Sequence, residues 1–139
     1  MAPQINYLAV VVAAVAAFAL GWIWYGPLFG KAWGSMVGVN MDIKPAGSKM
    51  AKTIILNLIG TLIMAWVLDH ALIFAIAYLK MGGAQGGLMG GFFNWLGFIA
   101  PVTLGVVLWE NKPWKLWFLN AGYYLVSLCV MGVILAVWM

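Results

Sequence analysis

Residues 6–26 read NYLAVVVAAVAAFALGWIWYG, twenty-one positions without a single Asp, Glu, Lys or Arg. At 1.5 Å of rise per residue, a helix of that length covers about 30 Å, the thickness of a bilayer's hydrocarbon core. Pro27 closes the run, because its ring fits poorly into a continuing helix and restrains the residue before it. Three more apolar runs follow, at 51–79, 86–109 and 114–138. Hydrophobic residues make up 66% of the 139-residue chain and charged ones 7%, against roughly 45–50% and about 25% in an ordinary soluble domain. Ten charges cannot cover a water-facing surface. The reading is an all-α polytopic membrane protein, one domain forming a four-helix transmembrane bundle with spans at 6–26, 51–73, 87–109 and 115–138. Its first partner is the lipid bilayer.

The second run is too long for one upright crossing. Either it tilts and projects past the bilayer, or it breaks near Asp69-His70 and continues at the interface. The only long loop holds Gly34, Gly38, Asn40, Asp42, Pro45 and Gly47. Its start, residues 28–37, places Phe29, Trp33 and Met36 beside Lys31, which suits a short amphipathic helix lying along the interface. Glu110-Asn111-Lys112-Pro113 is a sharp stop after the third run.

Seven lysines and no arginine set the net charge of +4. Lys31, Lys44, Lys49 and Lys52 flank the first loop, Lys112 and Lys115 the third, and only Lys80 lies on the other side. The positive-inside rule then places loops 27–50 and 110–114 in the cytoplasm and both termini outside. Trp22, Trp24, Tyr25, Trp33, Trp109, Trp114 and Trp117 cluster where this map puts one interface, and Trp138 near the other. Lysines in juxtamembrane loops meet anionic lipid head groups more simply than they meet nucleic acid. Residues 1–6 lack the basic segment of a secretion signal, so the first run reads as a retained span.

Helix pairing in lipid relies on small and polar residues. Ala9, Ala13, Ala17 and Gly21 recur every four positions in the first run. Gly83, Gly87 and Gly91, with Gly97 further on, do the same in the third. These are the expected packing faces, within one bundle or between copies. Thr53, Asn57, Thr61, Ala65 and Asp69 form a polar stripe on the second run, and Asn120, Tyr124 and Ser127 one on the fourth. Such groups are costly against lipid and should face inward.

The cytoplasmic ends of the first, third and fourth runs carry the densest chemistry: Tyr25, Lys31 and Trp33 from one side, Glu110, Lys115, Trp117 and Asn120 from the other. Glu110 stands at a helix C-terminus, where the helix dipole disfavours an anion, and Lys31 or Lys115 would relieve it. Candidate polar or ion-coupling residues are Glu110, Asp69, His70, Lys31, Asn57, Asn94 and Asn120. Asp69 and His70 point about 100° apart on a helix, so they cannot act as one dyad on one face. No catalytic constellation, cofactor motif or metal-ligand spacing is present; Cys129 reads as a small packing residue.

Several strings taken together resemble a known family. They are Asn6-Tyr7-Leu8-Ala9, the segment from Gly21-Trp22-Ile23-Trp24-Tyr25-Gly26-Pro27 to Trp33, Gly91-Phe92-Phe93-Asn94-Trp95, Trp109-Glu110, and Asn120-Ala121-Gly122-Tyr123-Tyr124. The pattern is similar to that of domain-of-unknown-function family 1761, over most of the chain and weakest at 39–49. The resemblance implies a small, mainly bacterial, four-helix membrane protein without an agreed activity, and no catalytic residue can be carried over.

The functional expectation is a non-enzymatic protein that acts through helix packing, as a homo-oligomer or as a subunit of another membrane assembly. The alternative is a small oligomeric transporter or channel, proton-coupled through Glu110 or Asp69. A membrane enzyme ranks third, since its few polar groups lie at separated depths.

Overall fold

A computed structural model describes residues 4–139. Four helices are long and apolar enough to cross a membrane: Tyr7–Leu28, Gly47–Leu79, Gly83–Leu108 and Trp114–Val137. No strand occurs among the described residues. The expected all-helical, four-span architecture is therefore the observed one.

Helix α1 (Tyr7–Ile23) starts where the Asn6 side chain accepts the Ala9 amide at 3.2 Å, an N-cap that satisfies one orphan donor. It runs into a π-helical turn at Trp24–Leu28, which contains Pro27. A proline removes one backbone donor and crowds the preceding turn; widening that turn accommodates both effects. Helix α2 (Gly30–Val37) follows and stops at Gly38, whose φ of 79° is the left-handed conformation that glycine adopts without strain. The short helix expected after Pro27 thus forms.

Helix α3 (Gly47–Leu79) is continuous over 33 residues. Of the two expectations for the second run, the unbroken one holds, and Asp69-His70 does not interrupt it. At about 50 Å it outruns the hydrocarbon core by roughly 20 Å. The third span is not one regular helix. It comprises α4 (Gly83–Asn94), a π-helical turn at Trp95–Ile99, α5 (Ala100–Thr103) and α6 (Gly105–Leu108). Pro101 sits just after the widened turn, whereas Pro27 lies within the first one. Helix α7 (Trp114–Val137) closes the chain.

Helix α7 is the hub, packed along α4 and α1, while α1 also packs on α3. The core joins Ala9, Ala13 and Ala17 of α1 to Ala65 and Leu72 of α3 and to Met131 and Leu135 of α7, all essentially inaccessible. Alanines on α1 let the neighbouring helices approach closely. Gly87 and Gly91 press against the α7 backbone at Gly132 and Leu128; a Cβ on Gly91 would lie 2.5 Å from the Leu128 carbonyl oxygen. Gly21 lies against the Tyr123 ring. Two glycines depart from the expected packing face. Gly83 starts α4 with φ +66° and has open space around it, so it serves the turn. Gly97 lies inside the π turn and faces open space as well.

The outside of the bundle is apolar. Phe98 is 72% exposed and Val102 73%. In water such a surface would drive aggregation; in lipid it is the solvated face.

Candidate functional site

One end of the bundle encloses a cleft of about 750 Å³ between α1, α2, α3, the end of the third span and α7. Seven aromatic side chains line it: Phe18, Trp22, Tyr25, Trp33, Trp117, Tyr123 and Tyr124. Thr53, Asn57, Thr103 and Asn120 supply uncharged hydrogen-bonding groups, and Met41, Met50, Ile54 and Val106 complete the apolar wall. No charged residue contributes to the lining. A concave apolar site of a few hundred to a thousand cubic ångströms with a few convergent polar groups is the usual form of a small-molecule site.

The wall is fixed by hydrogen bonds from aromatic donors to α7. Adjacent residues of the first π turn reach adjacent residues of α7: Trp24 Nε1 donates to the Leu119 carbonyl at 3.1 Å, and the Tyr25 hydroxyl to Asn120 Oδ1 at 2.7 Å. The Tyr123 hydroxyl donates back to the Ala17 carbonyl at 3.0 Å. From the third span, Trp95 Nε1 donates to the Ala121 carbonyl at 2.7 Å. In return Trp117 Nε1 donates to the Ala100 carbonyl at 3.2 Å and to Thr103 Oγ1 at 3.1 Å. The Thr103 hydroxyl itself donates to the Ile99 carbonyl at 2.6 Å. Indole and phenol donors in an apolar medium need acceptors, and helix carbonyls with a spare lone pair provide them.

The rings also contact one another. Tyr25 meets Tyr123 edge-on with centroids 5.3 Å apart, and Trp33 at 5.8 Å, also edge-on. Those are the geometries ring quadrupoles favour. Asn120 spends its oxygen on Tyr25, which leaves its amide hydrogens available to the cleft. The arrangement can hold a flat or chain-like organic body and read it by a few neutral hydrogen bonds.

The expected site residues separate. Asn57 and Asn120 line the cleft. Tyr25, Trp33 and Trp117 stand there too, as their common position at one end of the runs implied. Glu110 is exposed in the turn after α6, and Lys31 is exposed on α2; neither lines the cleft. Asn94 turns its amide onto the Gly90 carbonyl of its own helix at 2.8 Å. Asp69 lies in the core, and His70 Nδ1 bonds the Trp66 carbonyl at 2.8 Å. Phe18, Tyr123 and Thr103 escaped sequence reasoning. Tyr123 adjoins Tyr124 on the polar stripe of α7, and that adjacency was the available signal. Among the described residues no three of His, Cys, Asp and Glu gather as a metal site.

Comparison with known proteins gives one match. The model of a family described as "Protein of unknown function (DUF1761)" aligns with residues 8–136. No curated protein and no solved structure matches the chain.

Proposed function

The chain belongs to the DUF1761 family, and we propose that it is a non-enzymatic membrane protein that binds an uncharged, partly apolar organic solute in the aromatic cleft. The observation that carries this reading is the lining itself: seven rings and four neutral hydrogen-bonding side chains around about 750 Å³, without a charge. An ionic solute would enter such a wall without a counter-ion, which is costly in a low-dielectric site. An aromatic or lipid-like molecule would exchange one apolar surrounding for another and gain ring contacts and hydrogen bonds.

In this reading the cleft opens toward the cytoplasmic side, where the lysine-rich loops lie, and both termini are outside. Movement of the solute across the bilayer is the natural extension. Glu110 stands off the wall of the cleft.

Native mass spectrometry of the chain released from nanodiscs tests the proposal. One organic adduct per chain is expected, lost in Asn57→Leu, a change at an exposed wall position that leaves the core untouched. A bare chain, or equal adducts in both proteins, would sink it.

Self-assembly is a second reading, and one observation favours it. The third span turns Phe93, Phe98 and Val102 outward around the uncovered Gly97. A second copy seated there would give discrete mass multiples in the same spectra, and Gly97→Leu would abolish them.

A further inference from the structure

Asp69 is 1% exposed, and its Oδ2 has no hydrogen-bond partner. It is the one such buried side-chain oxygen or nitrogen among the described residues. On its own helix it sits between Ala65 and Leu72, both fully covered. Helix α1 brings Ala9, Val10 and Ala13 to the same core, and α7 brings Met131 and Leu135. Every lysine lies near a helix end or in a loop, so none is placed to neutralise a carboxylate in this seam.

The titratable groups around it are few. Helix α1 offers only Tyr7, which is exposed, and α4 offers none. Helix α7 carries Lys115, Tyr123, Tyr124 and Cys129. The Tyr123 hydroxyl is committed to Ala17, and the Cys129 thiol faces the Leu88 carbonyl at 3.9 Å. On α3 itself the neighbour is His70. As the Nδ1 contact is to a carbonyl, which can only accept, Nδ1 carries hydrogen and Nε2 is the basic nitrogen.

An ionised carboxylate with an unpartnered oxygen in an apolar seam costs several kcal/mol, and proteins avoid that cost by keeping the group neutral. A metal ion is a poor substitute, because hard cations require several oxygen ligands, and besides Asp69 the buried polar side chains among the described residues are Thr61 and Ser127, with one hydroxyl each. We infer that Asp69 is a proton-binding site, a carboxyl kept uncharged at neutral pH in the seam between α1, α3 and α7. Release of its proton places an unpaired negative charge in that seam, which must then open or admit water. Thr61 and Asn57 lie on the same face of α3, about 12 and 18 Å back along the helix, and Asn57 lines the cleft. A change at Asp69 therefore acts on a rigid helix that forms part of the cleft wall. The inference stands on Asp69's own surroundings and holds whether or not the cleft binds a solute.

Infrared spectroscopy tests it directly, since the chain has only Asp42, Asp69 and Glu110 as acidic side chains. The protein in nanodiscs, with aspartate labelled by carbon-13, should show at pH 7 the carbonyl stretch of a protonated carboxyl, displaced by the isotope. The band should persist in Asp42→Asn and vanish in Asp69→Asn. The isotope shift in Asp42→Asn, where Asp69 is the one labelled carboxyl, decides the matter even where Asp69→Asn folds poorly. Purely carboxylate bands for both aspartates at pH 7 would overturn the inference. Loss of the band on adding sodium or potassium at fixed pH would overturn it in favour of a metal ion.

Discussion

Gly87 of α4 and Gly132 of α7 meet backbone to backbone, so that a Cβ built on either runs into the other's carbonyl oxygen. Among the glycines it is the tightest approach, and a similar one recurs one turn along, where Gly91 faces Leu128. Such contacts replace the hydrophobic drive that lipid cannot supply.

Gly87→Leu should therefore cost about 1–3 kcal/mol, the usual penalty for overpacking a tight contact. Gly97→Leu should stay within about 0.5 kcal/mol, since nothing lies within 4 Å of that position. Reversible unfolding in mixed micelles compares the two. Equal effects would mean that the third span packs by a different face.

Trp95 donates into α7 from the second π turn. Trp95→Phe keeps the ring and removes the donor, with an expected loss of about 0.6–1.7 kcal/mol, the range for hydrogen bonds between membrane helices. Thermal unfolding in mild detergent reads it.

The bond between Tyr25 and Asn120 ties the first span to the fourth across the cleft. Tyr25→Phe and Asn120→Ala should be less destabilising together than the sum of their separate effects. A double-mutant cycle should return a coupling of about 0.6–1.7 kcal/mol. A coupling near zero would mean that the two side chains do not meet in the membrane.

Orientation is testable with one background. Cys129 is the only cysteine, so Asp42→Cys and Lys112→Cys in Cys129→Ala place unique thiols in the two lysine-rich loops. Both should react with an impermeant reagent only after the cytoplasmic face is opened. Labelling of either in intact cells would invert the topology.

Most of the fold was legible because charge and apolarity alone mark spans. Pro27 and Pro101 were visible, yet what each does to its helix was not. A proline announces a disturbed turn, but whether the chain kinks, stops or widens depends on what the neighbouring helix offers the freed groups. Here both spans widen, and each widened turn carries a tryptophan, Trp24 or Trp95, whose indole donates to a carbonyl of α7. The cleft was half legible. Tyr25, Trp33, Trp117 and Asn120 share one end by position, and Asn57 follows from the stripe on α3. Thr103 and Phe18 sit on faces that only the packing angles define. Glu110 and Lys31, singled out as rare ionic groups, both stand off the wall of this cleft.

The π turn at Trp95–Ile99 works as a one-residue insertion in an otherwise regular rod. Each residue of an α-helix advances the chain by 100°, so one added residue turns everything beyond it by nearly a third of a circle. Without that offset Ala100 and Thr103 would swing away from Trp117, and the third span would present a different side to the bundle. The span thus carries two azimuths. Before the insertion its glycines are clocked to grip α7, and after it Thr103 and Val106 are clocked to close the cleft.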